Sequence, residues 1–466
     1  MTLRLFDTLT GAVRDFVPLD PSNVRIYSCG PTVYGPAHVG NFRSFLVADL
    51  LVRYLRWSGY TVTWVMNLTD VDDKIIRGAA TEGISIDVLA ERYAARFLAD
   101  AATLRMTTPD ALPRATAHIP EMVALVERLL ERGHAYRTDD GSYFFRISSW
   151  PAYGRLARLE PDRLRTGERV AADQYDKDDV RDFALWKGPR DGEPSWETSI
   201  GPGRPGWHLE CSAMSMHYLG PSFDIHTGGV DLVFPHHEDE IAQSEAATDR
   251  PFVATWLHCA HLQMGGEKMA KSTGNIARVS ELIEGGVSPR ALRYALVAAH
   301  YRTGLNFGDE SLAAATAAVD RLDAAAAALA GYRSDGPGDP TLPALLSGTK
   351  AAFAASMDDD LGISPALATL FDLVRELNRR VAVRALSSAD AAMALAALRD
   401  VDRVLGVLPD EADELEPEVL ALLDARAAAR AARDWAESDR LREEIARRGV
   451  LVEDSRDGQR WRRTGG

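Results

Sequence analysis

A glycine-rich segment between a predicted strand and a predicted helix could contact a nucleotide. It reads Gly-Pro-Thr-Val-Tyr-Gly-Pro-Ala-His-Val-Gly-Asn over residues 30–41. Gly30 lets a ligand approach the backbone, His38 supplies a hydrogen-bond donor, and the following helix offers the positive end of its dipole. Its first two glycines have phosphate-loop spacing, but Pro36-Ala37 stands where Lys-Ser/Thr would be required, so this is not a Walker motif. Alone, the segment favours a nucleotide site and a structural turn about equally.

A second segment far downstream contains two lysines three positions apart, Lys268 and Lys271, followed by Ser272. Small residues surround them, and such a lysine pair is well suited to contacting a polyphosphate. On charge alone, a solvated loop would be the more common explanation. Combined with the glycine-rich segment, the pair favours a site for a nucleoside triphosphate.

A third group has the residue types of a zinc site. Its members are Cys29, Cys211, His236 and Glu240. The last two are four residues apart, so they project from one face of a predicted helix. Widely separated cysteines are by themselves a weak signal, because buried free cysteine is common. His237-Glu238 would begin a zinc-protease motif, but Ile241 stands where that motif needs its second histidine. We interpret Cys259 as a core residue.

Strand and helix patterns indicate how these groups are positioned. Residues 24–29 read as a short buried strand, residues 61–67 as a second strand, and Asn41 as the N-cap of a helix that ends at Trp57. This order is the βαβ unit of a parallel sheet, whose ligands bind beyond the carboxyl ends of the strands. A further strand is predicted over residues 223–226 and a helix over residues 236–247.

The second half of the chain is predominantly helical in pattern. Residues 312–408 are alanine-rich and helical, with a break at residues 334–343. An acidic stretch from Pro409 then leads into a last small unit. In that unit we predict a helix capped by Ser438 and ending at Gly449, followed by a hairpin of residues 450–453 and 459–463.

Composition restricts the class of protein. The net charge of −15, from 53 basic and 68 acidic residues, argues against a general nucleic-acid-binding protein. Residues 426–466, however, contain eleven Arg against eight acidic residues, and a local basic face can bind phosphate. Three cysteines in 466 residues favour a reducing compartment, and neither a secretory signal nor an apolar run of roughly 18 residues is present. We therefore expect a cytoplasmic protein with no membrane segment.

Together, these residues give the chain a specific resemblance to the cysteinyl-tRNA synthetases of class I. The nucleotide signature of that family, His-Ile-Gly-His or His-Ile-Gly-Asn, is matched by His38-Val-Gly40-Asn41. Its second signature, Lys-Met-Ser-Lys-Ser, is matched from Lys268 to Ser272. Other matching blocks extend over essentially the whole chain, at 67–74, 206–214, 223–226, 234–240, 300–306 and 433–439. Gly35 and Ala270 depart from the family pattern, but both lysines remain, so we expect activity to be retained.

The resemblance implies an α/β fold. It consists of a Rossmann-type parallel-sheet catalytic domain with a connective insertion, then an α-helical bundle domain and a small mixed α/β C-terminal domain. The implied boundaries are 1–115 for the first half of the catalytic domain, 116–200 for the insertion, 201–247 for the second half with the zinc site, 248–311 for a stem-contact region with the lysine loop, 312–408 for the helical tRNA-binding bundle and 409–466 for the anticodon-binding unit.

The resemblance also implies an activity: ATP-dependent activation of L-cysteine to cysteinyl-adenylate, and transfer to the terminal adenosine of tRNA(Cys). It gives catalytic roles to His38, Asn41, Lys268 and Lys271, and ATP binding to these residues with Gly30, Gly40 and Ser272. One Zn²⁺ per subunit would be held by Cys29, Cys211, His236 and Glu240, and Mg²⁺ would accompany ATP. The substrate pocket would include Thr69, Trp207, His208 and His226. We expect a monomer.

Two alternatives remain at this point. A ligase that joins cysteine to an amino-sugar inositol shares both signatures and the zinc ligands, but it lacks a terminal Arg/Trp-rich unit such as residues 460–463. A non-catalytic tRNA-binding paralogue is the other, and the intact His38, Lys271 and zinc ligands argue against it.

Overall fold

The computed structural model describes residues 2–159, 181–264, 267–268, 276–409, 417–455 and 458–463. The chain divides into two compact units, Met1–Val407 and Leu408–Gly466. The strands are β1 (Arg4–Asp7), β2 (Ala12–Asp15), β3 (Val24–Ser28), β4 (Val62–Met66), β5 (Ala135–Arg137), β6 (Tyr143–Phe145), β7 (Phe183–Lys187), β8 (Arg204–Pro205), β9 (Phe223–Gly229), β10 (Val253–Cys259), β11 (Leu262–Met264), β12 (Glu267–Lys268), β13 (Leu305–Asn306), β14 (Val450–Ser455) and β15 (Gly458–Arg463). The α-helices are α1 (Val39–Trp57), α2 (Asp73–Glu82), α3 (Ile86–Thr103), α4 (Ile119–Glu131), α5 (Trp207–Leu219), α6 (Glu238–Thr248), α7 (Val279–Glu284), α8 (Pro289–Val297), α9 (Asp309–Gly331), α10 (Leu342–Asp358), α11 (Ile363–Ala382), α12 (Ser388–Leu405), α13 (Pro417–Ala431) and α14 (Trp435–Arg447).

A parallel sheet in the order β10-β9-β3-β4 forms the centre of the first unit. In β3 and β4, every residue except the second is buried, as expected for parallel strands covered on both faces. The chain passes from β3 to β4 on one side, while β9 joins β3 on the other, so the strand order reverses between β3 and β9. Ligands of open parallel sheets bind at such a reversal, beyond the carboxyl ends of the strands. The predicted parallel sheet is confirmed, and the reversal places a ligand site next to Cys29.

Helix α1 begins three residues earlier than predicted. Its N-cap is His38, whose ring Nδ1 accepts a hydrogen bond from the backbone N–H of Asn41. The Asn41 side-chain oxygen in turn accepts from the backbone N–H of His38 at 3.1 Å. The prediction that Asn41 caps the helix is therefore wrong, because Asn41 is the reciprocal partner in a capping box whose cap is a histidine.

An antiparallel sheet in the order β5-β6-β7-β8 lies between β4 and β9 in the chain. The parallel sheet is thus interrupted by an inserted region, as its polar and irregular sequence indicated. Its aromatic residues form part of the core: Phe144, Phe145 and Trp186 are completely buried. The ring of Phe145 stacks on that of Phe183, with centroids 5.0 Å apart.

Helices α9 to α12 form the predicted helical region, and its break falls between Gly331 and Leu342. The residues that join α10 to α11 have an unusual backbone. Asp360 and Leu361 have φ of 57° and 54°, a left-handed conformation that costs most side chains energy. The side chain of Asp360 is buried, with 3% of the residue exposed. Its carboxylate accepts hydrogen bonds from Phe6, Tyr301 and Arg302, which compensate for that burial.

The second unit pairs α13 and α14 with the hairpin β14–β15, which confirms the predicted hairpin. A small apolar core holds it together, formed by Val419, Leu423, Ile445, Val450 and Val452. Helix α14 is capped by Asp434, whose carboxylate accepts from the backbone N–H of Glu437 at 3.1 Å. The predicted cap, Ser438, lies buried inside the helix, and the helix ends at Arg447, so both predicted bounds are wrong.

Candidate metal centre and nucleotide site

Four potential metal ligands converge at the carboxyl end of β3. Their donor atoms all lie within 4.8 Å of one another, and all four residues are buried: Cys29, Cys211, His236 and Glu240. The sulfurs of the two cysteines are 3.7 Å apart. Two thiolates at about 2.3 Å from a tetrahedral zinc ion would be separated by about 3.8 Å, so this spacing fits zinc. The structure therefore brings together the residues that the sequence could connect only by resemblance.

Four different elements supply these donors. Cys29 follows β3, Cys211 lies in α5, and Glu240 lies in the first turn of α6. His236 belongs to the segment Val233–His237, which is kinked at the extended backbone of Phe234 and precedes α6. The helix therefore starts two residues later than predicted. The predicted pairing of His236 with Glu240 survives this difference, because His236 Nε2 and Glu240 Oε1 lie 2.9 Å apart.

Charge compensation determines the protonation of these groups. Burial alone would lower the pKa of His236, but the Glu240 carboxylate and the Cys211 sulfur raise that pKa to about 10. Burial would raise the pKa of Glu240, but His226 and His236 lower it to about 2. A hydrogen bond from Cys29 lowers the pKa of the Cys211 thiol to about 6, while burial raises the pKa of the Cys29 thiol. At neutral pH these pKa values give a carboxylate, a thiolate and a protonated His236, which together leave one negative charge in excess. A cation that displaces the His236 proton would therefore be attracted to the cluster.

Neighbouring side chains orient two of these ligands. Nδ1 of His208 lies 2.9 Å from Nδ1 of His236, which leaves Nε2 of His236 to face the other donors. On the far side, Nε2 of His226 lies 3.0 Å from Oε2 of Glu240, so Oε1 of that carboxylate faces the cluster. Such outer contacts fix ring and carboxylate orientations in metal sites. His208 and His226, predicted to line the substrate pocket, thus lie directly against metal-ligand candidates.

Sequence reasoning missed a chain of contacts that extends from Cys29 into the core. Nε2 of His237 lies 3.4 Å from the Cys29 sulfur, and its Nδ1 lies 2.7 Å from Nε2 of His258. Nδ1 of His258 lies 2.8 Å from the hydroxyl of Thr8. The ring of His237 fits only because position 228 is glycine, since a Cβ there would lie 2.7 Å from His237 Cε1. No spacing in the sequence links His258 or Thr8 to the cluster. We refer to His208, His226, His237 and His258 as the supporting histidines.

The other residues predicted for the substrate pocket lie beside the same cluster. The ring of Trp207 packs on that of His236, with centroids 4.3 Å apart, and 37% of Trp207 is exposed. Thr69 is buried, and its hydroxyl donates to the carboxylate of Glu210 at 3.0 Å. Glu210 directly precedes Cys211 in the chain. Trp207 thus contacts one ligand candidate directly, whereas Thr69 is linked to the cluster through Glu210.

The first nucleotide signature lies at the amino end of α1. His38 and Asn41 form the capping box, and Gly40 lies in the first turn. The positive end of this 19-residue helix is a natural anion site. Gly30 lies close by in the chain, and its N–H donates to the Asn67 side chain at 2.8 Å. A Cβ at position 30 would lie 1.8 Å from the Asn67 carbonyl oxygen, so this close approach requires glycine.

The second signature is described only in part. Lys268 lies in β12, which pairs with β11, and the structure describes its backbone. Lys271 and Ser272 lie outside the described residues, so their predicted roles rest on the sequence. Among the described residues, none of the helices combines the length and apolar character that crossing a membrane requires.

Comparison with known proteins gives consistent results along the chain. Residues 15–317 match the model of the class I (C) tRNA synthetase catalytic domain, residues 352–409 that of the DALR domain, and residues 412–462 that of the cysteinyl-tRNA ligase anticodon binding domain. The cysteine–tRNA ligase of Symbiobacterium thermophilum is 45% identical over 99% of this chain and 100% of its own length. That of Chlamydia muridarum is also 45% identical, over 99% of each chain. The chain belongs to the cysteine–tRNA ligase family.

Solved structures support the class I fold of this family member. Methionyl-tRNA synthetase of Mycobacterium tuberculosis, in complex with methionyl-adenylate, superposes with a TM-score of 0.60 and 16% identity, covering 90% of this chain and 96% of that one. The leucyl enzyme of Agrobacterium radiobacter, in a ternary complex, gives a TM-score of 0.60 with 12% identity, covering 84% and 85%. The predicted family and fold class are confirmed. The amino-sugar ligase alternative is disfavoured, because the anticodon binding domain is present.

Proposed function

We propose that this family member activates L-cysteine with ATP and transfers the cysteinyl group to the terminal adenosine of tRNA(Cys). We further propose that the cluster of Cys29, Cys211, His236 and Glu240 holds one zinc ion that recognises the substrate sulfur. The convergence of four buried donors, two of them sulfur, is the observation that supports this proposal.

The selectivity problem explains why such a site would be needed. Cysteine and serine differ by a single atom, and pocket shape alone discriminates such pairs by only about 10–200-fold. When bound, zinc would favour the thiolate of cysteine over the protonated hydroxyl of serine. The protein side of this selection lies in the orientation of the ligands. His208 and His226 hold His236 and Glu240, and Trp207 forms a wall beside the ligands.

Adenylate formation is an in-line attack of the cysteine carboxylate on the α-phosphate of ATP. It needs no covalent enzyme intermediate, so positioning and charge stabilisation carry the rate. We assign the phosphate and ribose region to His38 and Asn41 at the amino end of α1. We assign the charge that develops on pyrophosphate to Lys268 and Lys271, with Mg²⁺ accompanying ATP. Ser272, Gly30 and Gly40 complete this proposed site.

The remaining parts of the proposal concern the tRNA and the state of the protein. We assign tRNA contacts to the helical region and to the Arg- and Trp-rich unit at the end of the chain, with the anticodon at the latter. We also propose that the protein is a cytoplasmic monomer, which light scattering during gel filtration would test. The proposed domain boundaries are those implied by the resemblance.

One experiment tests the central claim. Zinc content, cysteine-dependent ATP–pyrophosphate exchange and charging of tRNA(Cys) are measured for the wild type, for Cys211→Ser and for Cys259→Ser, with serine as the competing substrate. Cys259 is a matched control, because it is also a buried free cysteine but lies outside the cluster. We expect Cys211→Ser to lose zinc and the preference for cysteine, and Cys259→Ser to keep both. If Cys211→Ser lost zinc and still preferred cysteine over serine, the proposed role of zinc in amino-acid selection would be refuted. Exchange without charging of tRNA would refute the proposed acceptor.

A further inference from the structure

Arg43, in the second turn of α1, is a buried cation with an unusual set of partners. Its side chain is completely buried, and its guanidinium donates to three backbone carbonyls. The distances are 3.3 Å to His261, 3.3 Å to His300 and 2.5 Å to Thr303. Among the residues that the structure describes, Arg43 forms no ion pair within 4.0 Å with a carboxylate, and burial lowers its pKa.

Burial of a guanidinium without a carboxylate is costly, because the charge loses its hydration and gains only dipoles in return. Among the described residues the Nε of Arg43 has no hydrogen-bond partner, which adds to the cost, and the side chain that interacts with the guanidinium is the buried Cys259 thiol. An apolar residue would fill such a space in the core more cheaply. What a guanidinium provides is a rigid, planar fork of donors that fixes several carbonyls at once. The geometry thus indicates a role for Arg43 in fixing those carbonyls.

The three carbonyls belong to the two segments that lead into the strands next to the second nucleotide signature. His261 lies directly before β11, whereas His300 and Thr303 lie in the turn before β13. Strand β11 pairs with β13 on one side and, on the other, with β12, which contains Lys268. Arg43 therefore anchors the starts of β11 and β13 to α1.

The same helix also contacts the chain on the far side of that signature. The backbone N–H of Val39 donates to the carbonyl of Ala277 at 3.0 Å. Val39 and Arg43 are four residues apart, so they lie one above the other on α1. The first turns of the helix that contains His38 and Asn41 thus contact both flanks of the second signature.

The turn of residues 300–303 is held from its other side by the helical region. Nε2 of His300 lies 2.9 Å from the carbonyl oxygen of Asp360, and the hydroxyl of Tyr301 donates to the Asp360 carboxylate at 2.5 Å. Arg302 donates to the same carboxylate from Nε at 2.7 Å. Asp360 makes these contacts from the left-handed backbone conformation described above, with φ of 57°. Arg43 and Asp360 therefore both hold this turn through hydrogen bonds.

We propose that Arg43 is a positioning residue for adenylate formation. By fixing the carbonyls of His261, His300 and Thr303, it holds β11 and β13 at a set position relative to the amino end of α1. The strand that contains Lys268 thereby keeps a constant separation from the amino end of α1, and Asp360 supports the same turn from the helical region. This inference rests on the proposed function, since it concerns how that reaction is organised.

The test compares Arg43→Lys with a matched substitution, Arg293→Lys, in the full-length protein. Arg293 is also completely buried and also donates to three carbonyls, those of Leu104, Arg105 and Leu405, none of which flanks the second signature. Unlike Arg43, it also pairs with the buried Asp49 carboxylate at 2.6 Å. A lysine ammonium keeps the charge and cannot reach all three carbonyls. For each protein, the measurements are the kcat and KM for ATP and for cysteine in pyrophosphate exchange, zinc content, thermal midpoint and the number of active sites from adenylate formation.

For Arg43→Lys we expect kcat/KM for ATP to fall at least about tenfold per active site, because small misplacements of reacting groups have effects of this size. KM for cysteine and zinc content should stay within about twofold of the wild type, because the metal centre lies at the carboxyl end of β3. Arg293→Lys should lower the thermal midpoint and leave kcat/KM for ATP within about twofold. An unchanged ATP dependence in Arg43→Lys would overturn the proposal. The proposal would also be overturned if kcat/KM fell equally for ATP and for cysteine, or if Arg293→Lys lowered kcat/KM for ATP as much as Arg43→Lys does.

A second variant covers the case in which Arg43→Lys does not fold. Asp360→Asn keeps the size of the side chain and removes its ion pair with Arg302, whose side chain is partly exposed. We expect kcat/KM for ATP to fall about threefold or more, with KM for cysteine again unchanged. No change in the ATP parameters would overturn the proposal. A wild type without cysteine-dependent exchange would instead refute the proposed function, before any variant is compared.

Discussion

Replacement of Gly228 by alanine tests whether the supporting histidines hold the metal ligands in place. The new Cβ would lie 2.7 Å from Cε1 of His237, about 0.7 Å short of the 3.4 Å at which ordinary contact begins. His237 has little room to retreat, because its Nδ1 lies 2.7 Å from His258 and its Nε2 lies 3.4 Å from the Cys29 sulfur. Overpacking of this kind costs about 1–3 kcal/mol, and displaced outer contacts lower metal affinity by about 10–100-fold. We therefore expect weaker zinc binding and a raised KM for cysteine.

The assay is equilibrium competition for zinc with a chelator, together with the KM for cysteine in pyrophosphate exchange. Gly348→Ala is a matched control, because a Cβ at this exposed position of α10 meets no atom within 4 Å. Alanine should stabilise that helix by up to about 1 kcal/mol and leave zinc binding unchanged. If Gly228→Ala bound zinc within about twofold of the wild type, the role assigned to His237 would be refuted.

Three further predictions concern other parts of the molecule. Lys271→Ala should slow pyrophosphate exchange at least about tenfold with cysteine binding nearly intact, and an unchanged rate would exclude its proposed role. Arg293→Met should cost up to about 3–5 kcal/mol in urea unfolding at neutral pH, because it removes one of the two arginines paired with buried Asp49, the other being Arg53. Burial would raise the pKa of Asp49, but Arg293 and Arg53 lower it below 3.8. The stabilisation is therefore present above that pH and declines as the pH falls further. A difference in unfolding free energy between wild type and variant that grew in acid would contradict this. Trp461→Ala should raise the KM for tRNA by about 5–150-fold and spare pyrophosphate exchange, and an unchanged KM for tRNA would exclude the assigned contact.

The elements that the sequence predicts well are those with a strong local pattern. Strands β3 and β4 fall within one residue of prediction, because buried parallel strands are short apolar runs between turns. The hairpin β14–β15 follows from its Asp457-Gly458 turn sequence and flanking strands. The caps are less predictable, because several residues nearby can accept the same hydrogen bonds. His38 replaces Asn41 as the cap of α1, and Asp434 replaces Ser438 as the cap of α14.

The candidate metal centre shows a different limit. Cys29 and Cys211 are 182 residues apart, and no periodicity relates positions so distant. Only the resemblance to a known family joined them before the structure was considered. His258 and Thr8 had no signal at all, because their roles depend on the neighbours that β10 acquires in the folded sheet. Arg43 was likewise invisible, since its partners are backbone carbonyls, which every residue possesses.

The order of the ligands along the chain has a consequence for biosynthesis. Cys29 precedes Glu240 by 211 residues, so at about 5–20 residues per second the ribosome makes the last ligand about 10–40 s after the first. Throughout that interval β3 can pair with β4, but its other edge must wait for β9. An unpaired strand edge beside a free thiol is a site for aggregation and oxidation. The nascent chain therefore passes through a vulnerable period that ends when its second half arrives.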